Sequence, residues 1–331
     1  MIIETRAYAR AGLLGNPSDG YFGKTISISV RNFGAHVSLY QTPEMKIESH
    51  HDDLNIYRNI YDLVEKVNLT GYYGGDRLIK AAIKIFCTYC EKNNNKLSNK
   101  NFTIRYFSSI PRQVGLAGSS AIITSTFRAL MQFYEVDIQQ EILPSLILAA
   151  ETEELGINAG LQDRVIQVYE GCVYMDFDKK IMAKKNHGHY ELIEPVLLPK
   201  LYIAYKTSLG KVSGKVLSDI RTRYEEGDSF VHETLQKIAR LAETGKEALE
   251  NKDYKTFGKC INENFDLRKQ IMQINESNLE MIATARSCGA SAKFAGSGGS
   301  IIGTYTDDDM LTRLIVELKK INARVIKPYI V

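Results

Sequence analysis

The chain has 331 residues, of which 44% are hydrophobic and 24% are charged, a balance typical of a globular protein with about two domains. Its net charge of +3 is too small to indicate a nucleic-acid partner or an anionic membrane, and no run of five basic residues occurs. No apolar segment predicts a transmembrane helix, and the first residues lack the apolar core of a secretory signal.

The cysteines and histidines show no ligand pattern. Cys87 and Cys90 form one C-x-x-C within an apparent helix, and the chain has no second pair with which they would make a zinc site. We therefore expect reduced, largely buried thiols. Together with the missing export signal, this predicts a cytoplasmic protein.

The first 40 residues predict a hairpin. Residues 2–14 are extended, 15–20 form a turn rich in Asn, Pro, Ser, Asp and Gly, and 24–30 and 35–40 have strand patterns. Composition alone favours a solvated turn, although a polar loop at the head of a hairpin is also a common place for a binding site. Residues 54–95 are predicted to be helical in two pieces.

A Gly/Ser-rich junction follows at residues 110–121. Residues 101–109 read as a strand and 121–134 as a helix, so Ser119 and Ser120 fall where a helix leaves its first N–H groups unpaired. The junction is either an ordinary helix cap or a site for the phosphates of a nucleotide. No lysine follows Gly118, so the P-loop signature is absent.

Two acidic residues come next. Glu151 lies near the end of a predicted helix over residues 141–155, where an acid opposes the helix dipole, and Asp163 begins a predicted helix twelve residues later. They could converge on a metal–phosphate site. Alternatively, Glu151 faces water and Asp163 is only a cap.

The second half repeats the alternation of strands and helices. Residues 171–177 and 197–205 predict strands, 215–275 predict long charged helices, and 325–331 close a sheet after a helix that ends at residue 320. A second Gly/Ser-rich turn occupies residues 292–303. Lys-rich polar sequence near residues 180–195 places the predicted boundary between domains 1–185 and 186–331.

Three stretches resemble, in the same order along the chain, the motifs of the galactokinase, homoserine kinase, mevalonate kinase and phosphomevalonate kinase (GHMP) superfamily. They are residues 10–19, 111–121 and 292–303. Gly15-Asn16-Pro17 and four further segments are most similar to its glucuronokinase branch. The resemblance implies an α+β fold with two domains. The N-terminal domain would resemble domain 2 of ribosomal protein S5, and the C-terminal domain would be ferredoxin-like, with the active site between them.

The resemblance also implies a nucleotide site for ATP. Its phosphates would lie against the two Gly-rich loops, held by backbone N–H groups and a helix dipole. The residues assigned to this site are Pro111, Gly115, Leu116, Ala117, Gly118, Ser119, Ser120, Gly296, Ser297 and Gly298.

Catalytic and metal roles follow by the same matching. Asp163 resembles the aspartate that orients the acceptor hydroxyl or takes its proton, and Arg10 the cation that stabilises the transferring phosphoryl group. Ser120 and Glu151 resemble Mg²⁺ ligands, and oxygen ligands with retained waters suit that ion. Asn16 and Asp19 match ligands of sugar hydroxyls.

The implied activity is a sugar 1-kinase acting on a sugar acid, with D-glucuronate as the expected acceptor. Its carboxylate requires a cation, for which Arg112 and Lys24 are both candidates. The segment 206–213 departs from the family pattern, so galacturonate, galactose, a heptose phosphate and mevalonate stay open as acceptors, as does a non-catalytic binding protein. We expect a monomer or homodimer that binds small molecules.

Overall fold

The computed structural model describes the backbone of residues 1–48, 75–206 and 214–331, and the side chains of residues 1–48, 76–206 and 220–331. Its strands are β1 (Ile2–Leu14), β2 (Lys24–Thr42), β3 (Lys46–Glu48), β4 (Asn101–Ser108), β5 (Cys172–Asp176), β6 (His189–Leu192), β7 (Leu201–Tyr205), β8 (Lys293–Phe294), β9 (Ser300–Thr304) and β10 (Arg324–Ile326). Its helices are α1 (Gly75–Lys92), α2 (Gly118–Tyr134), α3 (Leu143–Thr152), α4 (Gln162–Tyr169), α5 (Lys179–Lys185), α6 (Gly214–Glu225), α7 (Ser229–Glu250), α8 (Tyr254–Ile271), α9 (Glu276–Ser287) and α10 (Asp308–Lys320).

The first sheet is built on the β1–β2 hairpin, as the sequence predicts. The strand order is β3-β4-β2-β5-β6, in which β4 and β5 both pair with β2. β1 pairs with the other edge of β2. The prediction of two separate strands, at 24–30 and 35–40, is wrong because β2 is continuous. The gap in the pattern is a bulge, since Tyr8 pairs with Gly34 and the next residue, Ala9, pairs with Val30.

Helix α2 lies against β1 and β2 and buries most of its residues. It begins at Gly118, three residues before the predicted start, so both serines of the junction belong to its first turn. A buried hydrogen bond of 2.9 Å joins the hydroxyls of Thr5 on β1 and Ser125 on α2. The helix is thus fastened to the strand whose far end leads to the polar turn.

The second sheet has the strand order β10-β7-β9-β8. Its elements follow one another as strand, helices, two strands, helix and strand, which is the ferredoxin-like arrangement. The strand predicted at 197–205 begins only at Leu201, because Pro195–Leu197 form a 3₁₀ turn. The strand predicted at 325–331 is confined to β10, and the backbone of Tyr329 instead hydrogen-bonds with Arg31 in β2 (2.9 Å).

The change from one sheet to the other lies after β6. This strand pairs with β5 in the first sheet, although it follows the boundary expected at residue 185. The first predicted helix of the 54–95 region lies largely outside the described residues, and so does segment 206–213 apart from Lys206.

Two further expectations from the sequence concern the cysteines and membrane-spanning helices. All five cysteines are free thiols, and only Cys87 is not fully buried. Among the helices that the structure describes, none has the length and apolar character needed to cross a membrane.

Candidate active site

The outer edge of β1 holds both Gly-rich loops. Arg10 N donates to Leu116 O of the first loop (3.2 Å), and Gly12 N donates to Ala295 O of the second (2.7 Å). The two loops also bond to each other directly, through Ser300 Oγ and Val114 O (2.6 Å). One strand therefore sets the position of segments that are about 180 residues apart along the chain.

The close approach of the loops requires glycine at two positions. A Cβ on Gly296 would lie 2.1 Å from Gly115 O, and a Cβ on Gly115 would lie 2.7 Å from Gly298 O. Gly115 also has a φ of 71°, in the left-handed region that glycine adopts at no steric cost. The sequence alone indicated such freedom but not the partner loop that makes it necessary.

The first turn of α2 borders the cleft between the loops. Ala117 precedes the helix with a φ of 59°, and the first bond of this turn runs from Ala121 N to Ala117 O (3.2 Å). The N–H groups of Gly118, Ser119 and Ser120 thus come before the intrahelical ladder, where a helix attracts anions. This geometry suits a phosphate group.

Arg10 connects this cleft to Asp163. Its Nη1 donates to Ala295 O (2.8 Å) and Gly115 O (3.1 Å), one carbonyl in each loop. Its Nη2 donates to the Asp163 carboxylate, forming an ion pair. The Arg10 side chain is 6% exposed and that of Asp163 is 21% exposed, so both line the cleft and the carboxylate is the more accessible of the two.

Glu151 is paired with an arginine that the sequence analysis missed. Arg164 donates from Nε (2.7 Å) and from Nη2 to the same oxygen, Oε2. Burial raises the pKa of the Glu151 carboxyl, and the guanidinium opposes that shift. Arg164 follows Asp163 directly, but nothing in the local sequence indicates that it turns toward Glu151 rather than toward solvent.

The Glu151–Arg164 pair includes one of the two residues expected to bind a metal ion. Within the residues that the structure describes, no three His, Cys, Asp or Glu side chains cluster to hold a metal ion. Glu151 and Ser120 nevertheless line the same cleft, and both bonds from Arg164 end on Oε2. A Mg²⁺ ion that takes most of its ligands from phosphates and water needs only one or two protein oxygens, which this donor set offers.

Asp19 and Asn16 line the same cleft as Asp163. Asp19 Oδ2 accepts a hydrogen bond from Gln162 N (3.3 Å) and fits against Gly160, where a Cβ would lie 2.1 Å away. Burial and the neighbouring Asp163 raise the pKa of Asp19 to about 6. Asn16 is 5% exposed and offers its Oδ1 to a buried lysine, Lys293.

Two buried basic side chains lie near these residues, Arg268 lining the cleft and Lys293 behind Asn16, and neither was predicted. Lys293 Nζ also donates to Gly12 O (2.7 Å) and Phe294 O (2.8 Å). Arg268 on α8 donates to Gly296 O (2.8 Å). The helical periodicity of the sequence could have indicated that Arg268 is buried, because it falls three residues after the buried Phe265 and three before the buried Ile271.

The cleft has a volume of about 410 Å³, a size typical of small-ligand sites. Of the residues expected in the site, these line it: Arg10, Asn16, Asp19, Pro111, Arg112, Gly115, Leu116, Ala117, Gly118, Ser119, Ser120, Glu151, Asp163, Gly296 and Ser297. Gly298 lies just behind them, against Gly115. Further lining residues that the sequence analysis missed are Tyr21, Asn158, Gln162, Arg164, Arg221 and Arg268.

Lys24 is not among the lining residues. Its Nζ pairs with Glu243 on α7 and lies 3.4 Å from Asp176 Oδ2 on β5. The structure thus places this candidate for the substrate carboxylate away from the cleft, with its charge already balanced. Arg112 does line the cleft, in an exposed part of the first loop.

Comparisons with known proteins agree with this architecture. The family models of the GHMP kinases match residues 77–171 (N-terminal domain) and 246–322 (C-terminal). The chain is 42% identical to a probable glucuronokinase 2 of Arabidopsis thaliana (99% of this chain, 91% of the relative) and 43% identical to glucuronokinase 1 of that plant (95% and 88%). The Lin0012 protein of Listeria innocua shares the fold at 16% identity, with a TM-score of 0.80 over 99% of this chain and 98% of the other.

Proposed function

Because the chain belongs to the GHMP kinase family and is a small-molecule kinase, we propose that it transfers the γ-phosphate of ATP to the anomeric hydroxyl of a sugar acid. The proposed acceptor is D-glucuronate and the product glucuronate 1-phosphate, as the names of its two Arabidopsis relatives suggest. The observation that carries the proposal is the Arg10–Asp163 pair, because it lies in the cleft with both Gly-rich loops bonded to the same arginine.

Asp163 is the proposed catalytic residue. Arg10 holds the Asp163 carboxylate at the cleft, where Asp163 can accept a hydrogen bond from the acceptor hydroxyl and take its proton as the new P–O bond forms. The proton moves to the carboxylate and ADP leaves. Arg10 additionally places a positive charge between the loops, where it would stabilise negative charge on the transferring phosphoryl group.

The nucleotide phosphates are proposed to lie against Gly115–Ser120 and Gly296–Gly298. The start of α2 supplies unpaired N–H groups and the positive end of a helix dipole, and the glycines admit close backbone approach. Ser120 and Glu151 are the proposed Mg²⁺ ligands. The ion, when bound, would offset the charge of the β- and γ-phosphates.

Asn16 and Asp19 are the proposed ligands of the sugar hydroxyls. Asn16 is fixed by Lys293 and by Asn264 Nδ2, which donates to Asn16 O (3.1 Å), so its position in the cleft is set by the second domain. Asp19 lies beside Asp163. An acceptor held here would present a hydroxyl between Asp163 and the phosphate loops.

Another acceptor would use the same machinery. Galacturonate, galactose, a heptose phosphate and mevalonate are the alternatives, and a non-catalytic binding protein is the remaining one. The paired Arg10 and Asp163 favour a catalyst over that last alternative, because a pure binding protein has no need of a carboxylate held in a phosphate-binding cleft. The proposed setting is the cytoplasm, where free thiols persist, with the protein acting as a monomer or homodimer.

The test is coupled ADP release with a panel of sugars and sugar acids, with and without Mg²⁺. We expect turnover with glucuronate to exceed that with glucose or galactose and to require the metal. Turnover confined to another acceptor would keep the kinase mechanism and replace the substrate. Binding of ATP without turnover of any acceptor would contradict the catalytic proposal.

A further inference from the structure

A sugar acid carries a carboxylate into the cleft, and this inference, which rests on the proposed function, concerns the residue that meets it. Burying a carboxylate is costly unless a cation pairs with it. Among the described residues, five arginines line the cleft: Arg10, Arg112, Arg164, Arg221 and Arg268. The choice among them depends on burial and on the partners that each already has.

Two of the five already pair with acidic side chains. Arg10 pairs with Asp163, and Arg164 pairs with Glu151. Arg112 and Arg221 are exposed, where water screens a charge and a pair contributes little to binding. These four are therefore poor candidates for strong discrimination between an acid and a neutral sugar.

Arg268 differs in both respects. It is 2% exposed, and its hydrogen-bond partners are uncharged: Gly296 O (2.8 Å from Nη1) and Met272 Sδ (3.0 Å from Nε). Its guanidinium carbon lies 5.3 Å from the centre of the Phe294 ring. No salt bridge joins Arg268 to an acidic side chain in the part of the chain that the structure describes. The two bonds use two of the five N–H donors of a guanidinium.

The surroundings increase the need for an anion. Lys293 is also buried, and its hydrogen-bond partners among the described residues are uncharged oxygens. Burial and the positive charges of Arg268 and Arg10 lower its pKa. Burial and the nearby charge of Arg10 lower the pKa of Arg268 to about 10, although the charge of Asp19 opposes this shift. A bound carboxylate would balance this buried positive charge.

The position fits the acceptor rather than the nucleotide. Arg268 and Arg10 flank Gly296: Arg268 binds its carbonyl, and Arg10 Nη1 would lie 2.6 Å from a Cβ at that residue. Arg10 is held between the two phosphate loops and pairs with Asp163. Arg268 instead lies over the ring of Phe294, and the adjacent residue, Lys293, donates to Asn16 Oδ1 on the proposed sugar side. We propose that Arg268 binds the carboxylate of the sugar acid and so selects acids over neutral sugars.

The experiment compares Arg268→Gln and Arg268→Lys with the parent, using glucuronate and glucose as acceptors. Glucose has a neutral hydroxymethyl group in place of the carboxylate. Lys269→Gln is the matched control, since it removes one positive charge from the next residue of α8, which is exposed and outside the cleft. The readouts are kcat/KM for each acceptor, the KM for ATP and the thermal unfolding midpoint.

For Arg268→Gln, we expect kcat/KM with glucuronate to fall about 100-fold and that with glucose to change less than about threefold. Arg268→Lys keeps the charge but not the planar fork and should lose about tenfold with glucuronate. Lys269→Gln should match the parent with both acceptors. If Arg268→Gln does not fold, Arg268→Lys becomes the test. A weaker preference for glucuronate over glucose would support the proposal, and an unchanged preference would contradict it.

Other outcomes overturn the inference and separate it from the proposed function. Equal losses with both acceptors, together with a raised KM for ATP, would assign Arg268 to the phosphates. A parent that prefers glucuronate, and Arg268 variants that keep this preference, would refute the inference alone. A parent that phosphorylates only neutral sugars would refute the proposed acid substrate and with it the need for a carboxylate site.

Discussion

The carboxylate of Asp163 is held by Arg10 across 153 residues of chain, and the same guanidinium bonds to a carbonyl in each Gly-rich loop. The proposed base and both phosphate loops therefore share one positioning residue. A change in Asp163 should affect the chemical step more than the binding of nucleotide, because its hydrogen bond goes to Arg10 and not to the loops. A change in Arg10 should affect both, because its side chain bonds to both loops.

The variant Asp163→Asn should lower kcat about a thousandfold, since the amide cannot take the proton of the acceptor hydroxyl. The KM for ATP should change less than about threefold, because the proposed partner of Asp163 is the acceptor. Asp176→Asn is the control, being the same chemical change in the first domain at a residue outside the cleft. Coupled ADP release measures both variants. Turnover by Asp163→Asn at the parent rate would show that the assigned base is wrong.

The buried Glu151–Arg164 pair should contribute to stability as well as to the proposed metal site. Glu151→Gln removes the carboxylate that accepts two hydrogen bonds from the buried Arg164 and leaves only the longer contact of Arg164 Nη1 with Asp163 Oδ2 (3.4 Å). It should cost about 3 kcal/mol of unfolding free energy. The double variant Glu151→Gln with Arg164→Gln should recover part of that loss. Urea unfolding of the two single variants and the double variant measures the coupling.

The control for this pair is Glu154→Gln, which breaks a pair with the exposed Lys84 near the end of the same helix. An exposed pair contributes at most about 1 kcal/mol, so the control should hardly change the urea midpoint. Losses of equal size for Glu151 and Glu154 would refute the special role of the buried pair.

Asp19 makes stability depend on pH. Its pKa is raised from 3.8 to about 6 by burial and by Asp163, so between these values the folded protein binds more protons than the unfolded chain. The contribution of Asp19 to stability therefore falls as pH rises from about 4 to 6, by on the order of 1–2 kcal/mol. Asp19→Asn should flatten this slope and stabilise the protein at pH 7.

Unfolding midpoints measured from pH 4 to pH 8 test the prediction. Asp137→Asn, at an exposed residue of the first domain, should keep the slope of the parent. A slope that Asp19→Asn leaves unchanged would show that another group is responsible. Asp19→Asn should also bind the acceptor less well, because an amide replaces the carboxylate that is proposed to bind the sugar hydroxyls.

Gly296 should tolerate no side chain. A Cβ there would lie 2.1 Å from the backbone oxygen of Gly115 and 2.6 Å from Arg10 Nη1, so Gly296→Ala must push the loops apart. We expect kcat/KM for ATP to fall about tenfold or more, as is typical of a misplacement of about 1 Å at an active site. Gly258→Ala, where the nearest atom is a side-chain oxygen at 3.1 Å, should leave it within about twofold of the parent. Similar values for the two variants would contradict the close packing of the loops.

Short, local patterns in the sequence were enough to predict most of the fold and part of the site. The hairpin, the strand before the first Gly-rich loop and the helix after it follow from alternation, turn residues and helix-start chemistry, and their bounds were predicted within a few residues. An error came where the local pattern was ambiguous, because the bulge in β2 reads as a break between two strands. The predicted domain boundary lies in the polar stretch before β6, a strand that pairs with β5 of the first sheet.

The sequence by itself determined the family, because the motifs that mark it are short and depend on neighbours along the chain. The same motifs led to the prediction that the loop residues, Arg10, Glu151 and Asp163 form the site. Only the tertiary structure decided which charges meet. It paired Glu151 with Arg164, directed Lys24 to Glu243 outside the cleft, and left Arg268 buried at the cleft with no acidic hydrogen-bond partner among the described residues. The physical reason is that the energy of a charge depends on its burial and on partners brought close by packing, and neither is encoded in residue spacing.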